Sequence, residues 1–425
     1  MTSQQRLLTG NALLLRLESH FMRSSATPLT LLALALGVLM MRGPVTGIGA
    51  IAEPLSEALG MGYVAYGFVS ALPIVCFGLC CAAVPVAAQK LGMARLITLC
   101  FALILAGSAL RLVFNLPLFS LATMLIGVGI AFLNALMPVV LRHLFKSDVA
   151  FIMGVFTGLI GFSGSIGAYC SVPVMQYFES VRAPLALWVI WSAVTIVLWT
   201  VSRKPDNVKI MPLALDCSLL ARPMTWAVIF VMSMQSLTIY TTVAWVPTLL
   251  ADQGMSASDA GLASAIFLLV SAPASILTSR FIRLCGSERV AAFIMTAIFA
   301  AGIGLWAFVW SWGGSLAYLG CVLAGIPQGI TFSMAMILMA KKSSDLNQLL
   351  LISSLAQGIG YLIAGLGPFI CGLLYNPANP WPILSFMLAK SITIKFTIRE
   401  FIFMLFLACN TNTINKYIIS RIVTI

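Results

Sequence analysis

Eleven apolar runs divide this chain, and each is long enough to cross a bilayer. They lie at about 29–52, 63–88, 94–113, 117–140, 150–173, 184–202, 224–249, 259–279, 290–310, 314–339 and 349–374. A hydrocarbon core of ~30 Å takes about 20 helical residues, and a helix satisfies its own backbone polar groups there. The chain is therefore expected to be an all-α membrane protein. Its composition leaves little room for a soluble domain. Of 425 residues, 61% are hydrophobic and 8% charged, against about 25% charged in soluble domains.

The +12 formal charge reads as topology. One set of loops holds Lys90 and Arg95; Arg142 and Lys146; Arg203, Lys204, Lys209 and Arg222; Arg280, Arg283 and Arg289; Lys341 and Lys342. The opposite loops hold Glu53, Glu57, Glu179, Asp252 and Asp259, with Arg182 as their only basic residue. The positive-inside rule places the first set, and the N-terminus, in the cytoplasm. No nucleic-acid partner is needed to explain the charge. Residues 1–28 lack a clean apolar core with a cleavage site and read as a cytoplasmic segment, able to lie on the inner membrane surface.

The polar stretch 203–223 separates six spans (29–202) from a second set (224–389). The halves match locally at an offset of 195. Pro28 and Thr30 open the first span as Pro223 and Thr225 open the seventh, and Pro173 answers Pro368. Two parallel six-span halves are the architecture of major facilitator transporters, with a site at the midplane between them.

The first run, LTLLALALGVLMMRGPVTGIGAIA, contains one charge, Arg42, followed by Gly43 and Pro44. A charge within a span costs several kcal/mol and normally faces a bundle interior or polar cavity. Arg42 is thus a candidate solute-binding residue, the alternative being an arginine that snorkels to the headgroups. Arg111, near the end of the third span, reads as snorkelling. Other polar residues within spans are few: Asn134, Gln235, Gln328 and Gln357, with Tyr240, Trp245 and Tyr361 nearby. An amide in lipid must find a partner, either a neighbouring helix or a ligand. Together with Arg42 they would line one cavity. All twelve Asp and Glu lie in loops, termini or span ends. An arginine without a buried acid favours an anionic or strongly polarised solute.

Conformational signals come from glycines and one loop. Gly154, Gly158, Gly161 and Gly164 line the fifth span, and Gly358, Gly360, Gly365 and Gly367 the eleventh. Small residues permit close packing, and in corresponding spans of both halves they fit a rocking interface. The loop after the second span, PVAAQKLGMAR from Pro85 to Arg95, keeps Lys90 and Gly92 of the superfamily's G-x-x-x-D-R-x-G-R-R latch. Gln89 replaces its acid and Pro85 its first glycine. The chain carries no ATP, metalloprotease or serine-hydrolase motif, so neither enzyme chemistry, a cofactor nor a metal is expected. The ten cysteines read as apolar packing residues.

Four stretches resemble the cyanate and 2-nitroimidazole transporter group of the major facilitator superfamily. They are LMMRGPVTGIGAIAEPL, NALMPVVLRHLFK, MQSLTIYTTVAWVPTLLADQGMSASDAG and AQGIGYLIAGLGPFICGLLYN. In that group the first-span arginine is usually followed directly by proline; here Gly43 intervenes. The resemblance implies a carrier of the bacterial inner membrane moving a small anionic or heteroaromatic solute by alternating access; a monomer is expected. The coupling ion stays open, with protons as one candidate. Two rivals are proton-driven efflux of drugs or weak acids, and a non-transporting sensor or degenerate gene product.

The third reading draws on the tail. A twelfth span starts at Trp381, but Lys390, Lys395, Arg399 and Glu400 interrupt it. Residues 390–425 hold nine isoleucines and no glycine, unlike the Gly- and Ala-rich chain before them. A reading-frame change near Leu388 is one explanation, and a divergent native tail the other.

Overall fold

In a computed structural model, residues 27–61, 63–145, 149–202, 223–307 and 314–374 are described. The N-terminal segment, the central loop, the twelfth span and the tail lie outside them. The described residues form helices throughout: α1 (Pro28–Leu39), α2 (Gly43–Ala50), α3 (Ala52–Leu59), α4 (Tyr63–Cys81), α5 (Val84–Leu91), α6 (Met93–Leu110), α7 (Leu116–Leu144), α8 (Val149–Tyr177) and α9 (Arg182–Val201) precede the central loop. After it come α10 (Pro223–Asp252), α11 (Ala257–Leu284), α12 (Glu288–Ala307), α13 (Ser315–Lys342) and α14 (Leu346–Leu374).

Where described, all eleven apolar runs are helical. Two of them are broken, each just before a proline in the first turn of the following helix. Such a proline lacks the N–H its helix would need to continue backwards. Pro44 separates α1 from α2, which still read as a single 23-residue span from Pro28 to Ala50. Pro85 opens α5, which departs from the second span by 64°. Gly92 follows at φ +77°, a left-handed turn that glycine takes without strain and that feeds α6.

Helices pack both within and between the two sets of spans. In the first half α6 packs on α7 and α9, α4 on α7, and α2 on α8. In the second, α10 packs on α14, and α11 and α12 on α13. The halves meet where α8 lies against α11 and α13, and where α14 lies against α4 and α7.

The cores are distributed unevenly along the membrane normal. Toward the end that carries the basic loops, one cluster joins both halves and includes Met41, Phe77, Leu136, Met153, Met232, Met336 and Ala356. Toward the acidic end the cores are separate. Ile51, Leu55, Phe119 and Leu185 belong to the first half, and Val246, Leu250, Phe299 and Trp306 to the second. The described cores are thus shared between the halves nearer the basic loops and separate nearer the acidic ones.

Candidate functional site

Arg42 occupies the break in the first span. Its backbone leaves the helix at φ −130°, ψ −34°, and its side chain makes no capping bond. The residue is 9% exposed. Its Cγ and Cδ lie against Gly164, where an added Cβ would stand 3.3 Å away. Of the two readings open for it, the interior one describes its position. The guanidinium points across the midline, where Nη2 donates a long hydrogen bond of 3.4 Å to the Tyr240 hydroxyl on α10. Its carbon lies 5.2 Å from the Tyr240 ring centroid. Among the described residues, no carboxylate pairs with Arg42.

Beneath this contact three rings meet. Phe77 of α4 lies 5.2 Å from Tyr361 of α14 and 6.5 Å from Tyr240, and the two tyrosines stand edge to face at 6.0 Å. A hydrogen-bonded thread continues from there. The Tyr361 hydroxyl is 3.5 Å from Gln357 Oε1, whose Nε2 donates to the Asn134 carbonyl at 2.8 Å and to Ser353 Oγ at 2.9 Å. Arg42, Tyr240, Tyr361, Gln357 and Asn134 therefore do come together, although Asn134 contributes its backbone to the thread. Gln357 is engaged in holding α14 to α7.

Gln235 and Gln328 lie elsewhere. Gln235 lies five positions before Tyr240, which turns it about 140° to another face of α10. Both glutamines line a small cavity within the second half, with Thr238, Thr296, Phe299 and Thr331. It has room for about one or two waters. Both amide nitrogens lack a partner among the described residues, and Gln235 Oε1 accepts from Ser236 at 3.2 Å. Trp245 is also turned from the centre, its indole N–H donating to the Pro368 carbonyl at 3.0 Å.

The glycine row of α8 faces the opposite half. A Cβ at Gly154 would meet the Ser275 carbonyl at 2.7 Å, at Gly158 the Ala272 carbonyl at 2.8 Å, and at Gly161 the Ser271 hydroxyl at 2.8 Å. Backbone approach that close needs glycine. Gly164, one turn on, makes room for Arg42.

Residues 34–368 match the sequence pattern of the Major Facilitator Superfamily. The chain belongs to that superfamily. Its curated relatives there include an uncharacterized transporter YycB of Bacillus subtilis, 26% identical over 83% of this chain and 88% of that protein. The 2-nitroimidazole transporter of Escherichia coli is 25% identical over 83% of this chain and 90% of its own. The cyanate transport protein CynX of Escherichia coli is 25% identical over 81% and 89%. Solved superfamily structures share the fold. A D-xylose–proton symporter superposes with TM-score 0.69 at 14% identity, covering 88% of this chain and 97% of that one. The human organic anion transporter MFSD10 gives 0.66 at 14%, covering 87% and 99%.

Two features of this superfamily member correct or extend the sequence reading. Arg111 does not snorkel. It is 2% exposed and grips neutral oxygens, with Nη1 donating to the Pro44 carbonyl at 2.7 Å and Nε and Nη2 to Thr123 Oγ1 at 3.2 and 3.1 Å. Its place at the end of α6 hid that it reaches acceptors on both α2 and α7. At the basic end, Lys90 is exposed and makes no hydrogen bond or ion pair among the described residues. Arg142 of α7 crosses between the halves instead, Nη1 donating to the Ala340 and Ser343 carbonyls at 2.9 and 3.0 Å. A cation there also meets the negative end of the α13 dipole. The signal for Arg142 was a basic residue at a span end, common to many topology markers.

Proposed function

We propose that this protein is a secondary carrier that moves a small anionic or heteroaromatic solute, such as cyanate or a nitroimidazole, by alternating access. The observation that carries this reading is Arg42. Among the described residues, a buried guanidinium at mid-span meets a neutral tyrosine from the opposite half through one long hydrogen bond, and no carboxylate. A charge in that setting favours a counter-charge or a strongly polarised group, which an anionic solute supplies. A solute there competes with Tyr240 for the guanidinium. Tyr240, Tyr361 and Phe77 form the floor against which a planar solute rests.

The positive-inside rule puts the basic loops in the cytoplasm of a bacterial inner membrane. The shared core and the Arg142 clasp then close the cytoplasmic side, while the separate cores leave the outer side parted. This is an outward-facing arrangement. The inward one requires α8 and α14 to rock on their partners across the glycine-lined contacts. The names of two relatives, the cyanate and 2-nitroimidazole transporters, agree with this solute class.

Purified protein in proteoliposomes, assayed for flux of cyanate, 2-nitroimidazole and a panel of small anions with and without a pH gradient, tests the reading. Saturable flux of one such solute supports it, and the gradient arm separates proton coupling from facilitated passage. Folded protein that moves none of them overturns it.

A further inference from the structure

The break in the first span is spliced by a side chain from another helix. In an uninterrupted helix the Gly43 N–H would donate to the Leu39 carbonyl, four residues back. Here the Ser163 hydroxyl of α8 stands between them. Ser163 Oγ accepts from the Gly43 N–H at 2.8 Å and donates to the Leu39 carbonyl. A side chain inserted into the i→i−4 ladder is a recognised cause of helix bending.

Ser163 is unlike most hydroxyls in this protein's spans. Thr123, Thr157, Ser171, Ser192 and Ser233 each return their proton to the carbonyl four residues back on their own helix, the local habit of Ser and Thr within helices. Ser163 gives its proton to another span. It is fully buried, and the residue it holds in place is Arg42, one position before Gly43. The next residue of α8 adds a second fastening, where Thr46 Oγ1 donates to the Gly164 carbonyl at 2.9 Å.

We infer that Ser163 is a positioning residue for the Arg42 solute site, keeping the first span open at Arg42 so that the guanidinium projects toward Tyr240. Without the hydroxyl, the Leu39 carbonyl and Gly43 N–H are free to bond directly. The helix then tightens by one bond, and the Cα–Cβ direction at position 42 rotates. Pro44 alone blocks only the bond to Met40, so proline by itself does not fix the geometry. The inference rests on the reading of Arg42 as the solute's anchor, but the position of residue 42 is measurable without any solute.

The first arm is therefore chemical. Arg42→Cys protein is labelled with methanethiosulfonate ethylsulfonate, and the peptide carrying residue 42 is followed by mass spectrometry. Adding Ser163→Ala changes the labelling rate at that peptide at least threefold, and Ser163→Thr, which keeps the hydroxyl, returns it to within twofold. Equal rates in all three proteins overturn the inference, whatever the flux assays show. If the alanine protein does not fold, Ser163→Cys, a weaker donor and acceptor of similar size, takes its place in the same comparison.

The second arm uses whichever of cyanate or 2-nitroimidazole the wild type carries. Ser163→Ala raises KM about tenfold with kcat within threefold, and adds nothing further in an Arg42→Ala background. An equal effect in both backgrounds shows a role independent of Arg42 and overturns the inference. Shifted labelling with no flux in the wild type leaves Ser163 as positioner and removes the transport reading instead.

Discussion

Arg42 and Tyr240 stand 198 positions apart in the chain and meet at its centre, guanidinium to hydroxyl at 3.4 Å. They come from different halves, so their contact reports on both the site and the closure around it. The bond is long, and the ring face lies within cation–π distance of the same guanidinium. The hydroxyl is therefore the replaceable part of the contact and the ring the lasting part. Tyr240→Phe is expected to keep transport with KM within about threefold, since the bond lost is long and the solute takes its place on the guanidinium. Tyr240→Ala, which removes the floor as well, is expected to lose at least tenfold in kcat/KM. Initial-rate flux in vesicles measures both.

Arg111 gives a structural prediction of the opposite kind. Its three nitrogens fit two acceptors, the Thr123 hydroxyl and the Pro44 carbonyl. A lysine carries the charge but cannot reach both in that fork. Arg111→Lys is expected to destabilise the protein by about 1.5–3 kcal/mol, the range for a hydrogen bond to a charged group. Thermal unfolding in detergent reads this as a clear drop in midpoint. A snorkelling arginine would tolerate the change.

The fold was legible from periodicity and loop charge because lipid forces backbone bonding inside each span. The eleven apolar runs required no knowledge of tertiary contacts. Arg42 was also legible, since a lone charge in an apolar run stands out. Its partners were harder to find. Tyr240 and Tyr361 could be suspected, but Phe77 has no polar atom to draw notice, and Gln235 differs from Tyr240 only in the face of α10 it occupies. Rotation about a helix that is buried nearly all round leaves little trace in hydropathy, because both faces are apolar. Ser163 was hidden for a similar reason. Its role depends on a break in another span.

The α8–α11 contact predicts a steric block. At Gly158 a Cβ would meet backbone, the Ala272 carbonyl at 2.8 Å, with the Ile276 side chain at 3.0 Å. A carbonyl in a helix cannot step aside as a side-chain tip can. Gly158→Val is expected to reduce flux at least tenfold with the protein still in the membrane, by forcing the halves apart at the contact on which the proposed rocking turns. Membrane-fraction abundance and flux, measured on the same preparation, separate this from misfolding.

The basic-end clasp makes a conformational prediction with a pH dependence. Removing Arg142 deletes two bonds from a charged donor to carbonyls at the C-terminal end of α13, those of Ala340 and the capping Ser343. Each such bond contributes about 1.5–3 kcal/mol, so the closed arrangement should lose population by tenfold or more. Spin labels at the basic ends of α7 and α13 read this as a longer distance in Arg142→Ala. Asp345 sits beside the clasp and caps α14. Its carboxylate accepts from the Gln348 N–H at 2.8 Å and from the Ser344 hydroxyl at 2.9 Å.

These bonds, led by the Gln348 N–H and helped by the Arg142 charge, hold the Asp345 carboxyl below its ordinary range, partial burial opposing them. A depressed folded value means its contribution is whole above the unfolded value of about 3.9 and is lost as pH falls through the lower folded one. The label distance should be flat from about pH 8 to 5, with any Asp345-linked change confined below about pH 4.

The central claim is that Arg42 binds the solute. The most direct test is vesicle flux of cyanate and 2-nitroimidazole by the wild type, Arg42→Lys and Arg42→Ala, at matched membrane abundance. A buried guanidinium that meets the solute predicts flux in the wild type, at least a hundredfold loss of kcat/KM in Arg42→Ala, and partial retention in Arg42→Lys, which keeps the charge without the fork. Wild-type flux that survives unchanged in Arg42→Ala would contradict it.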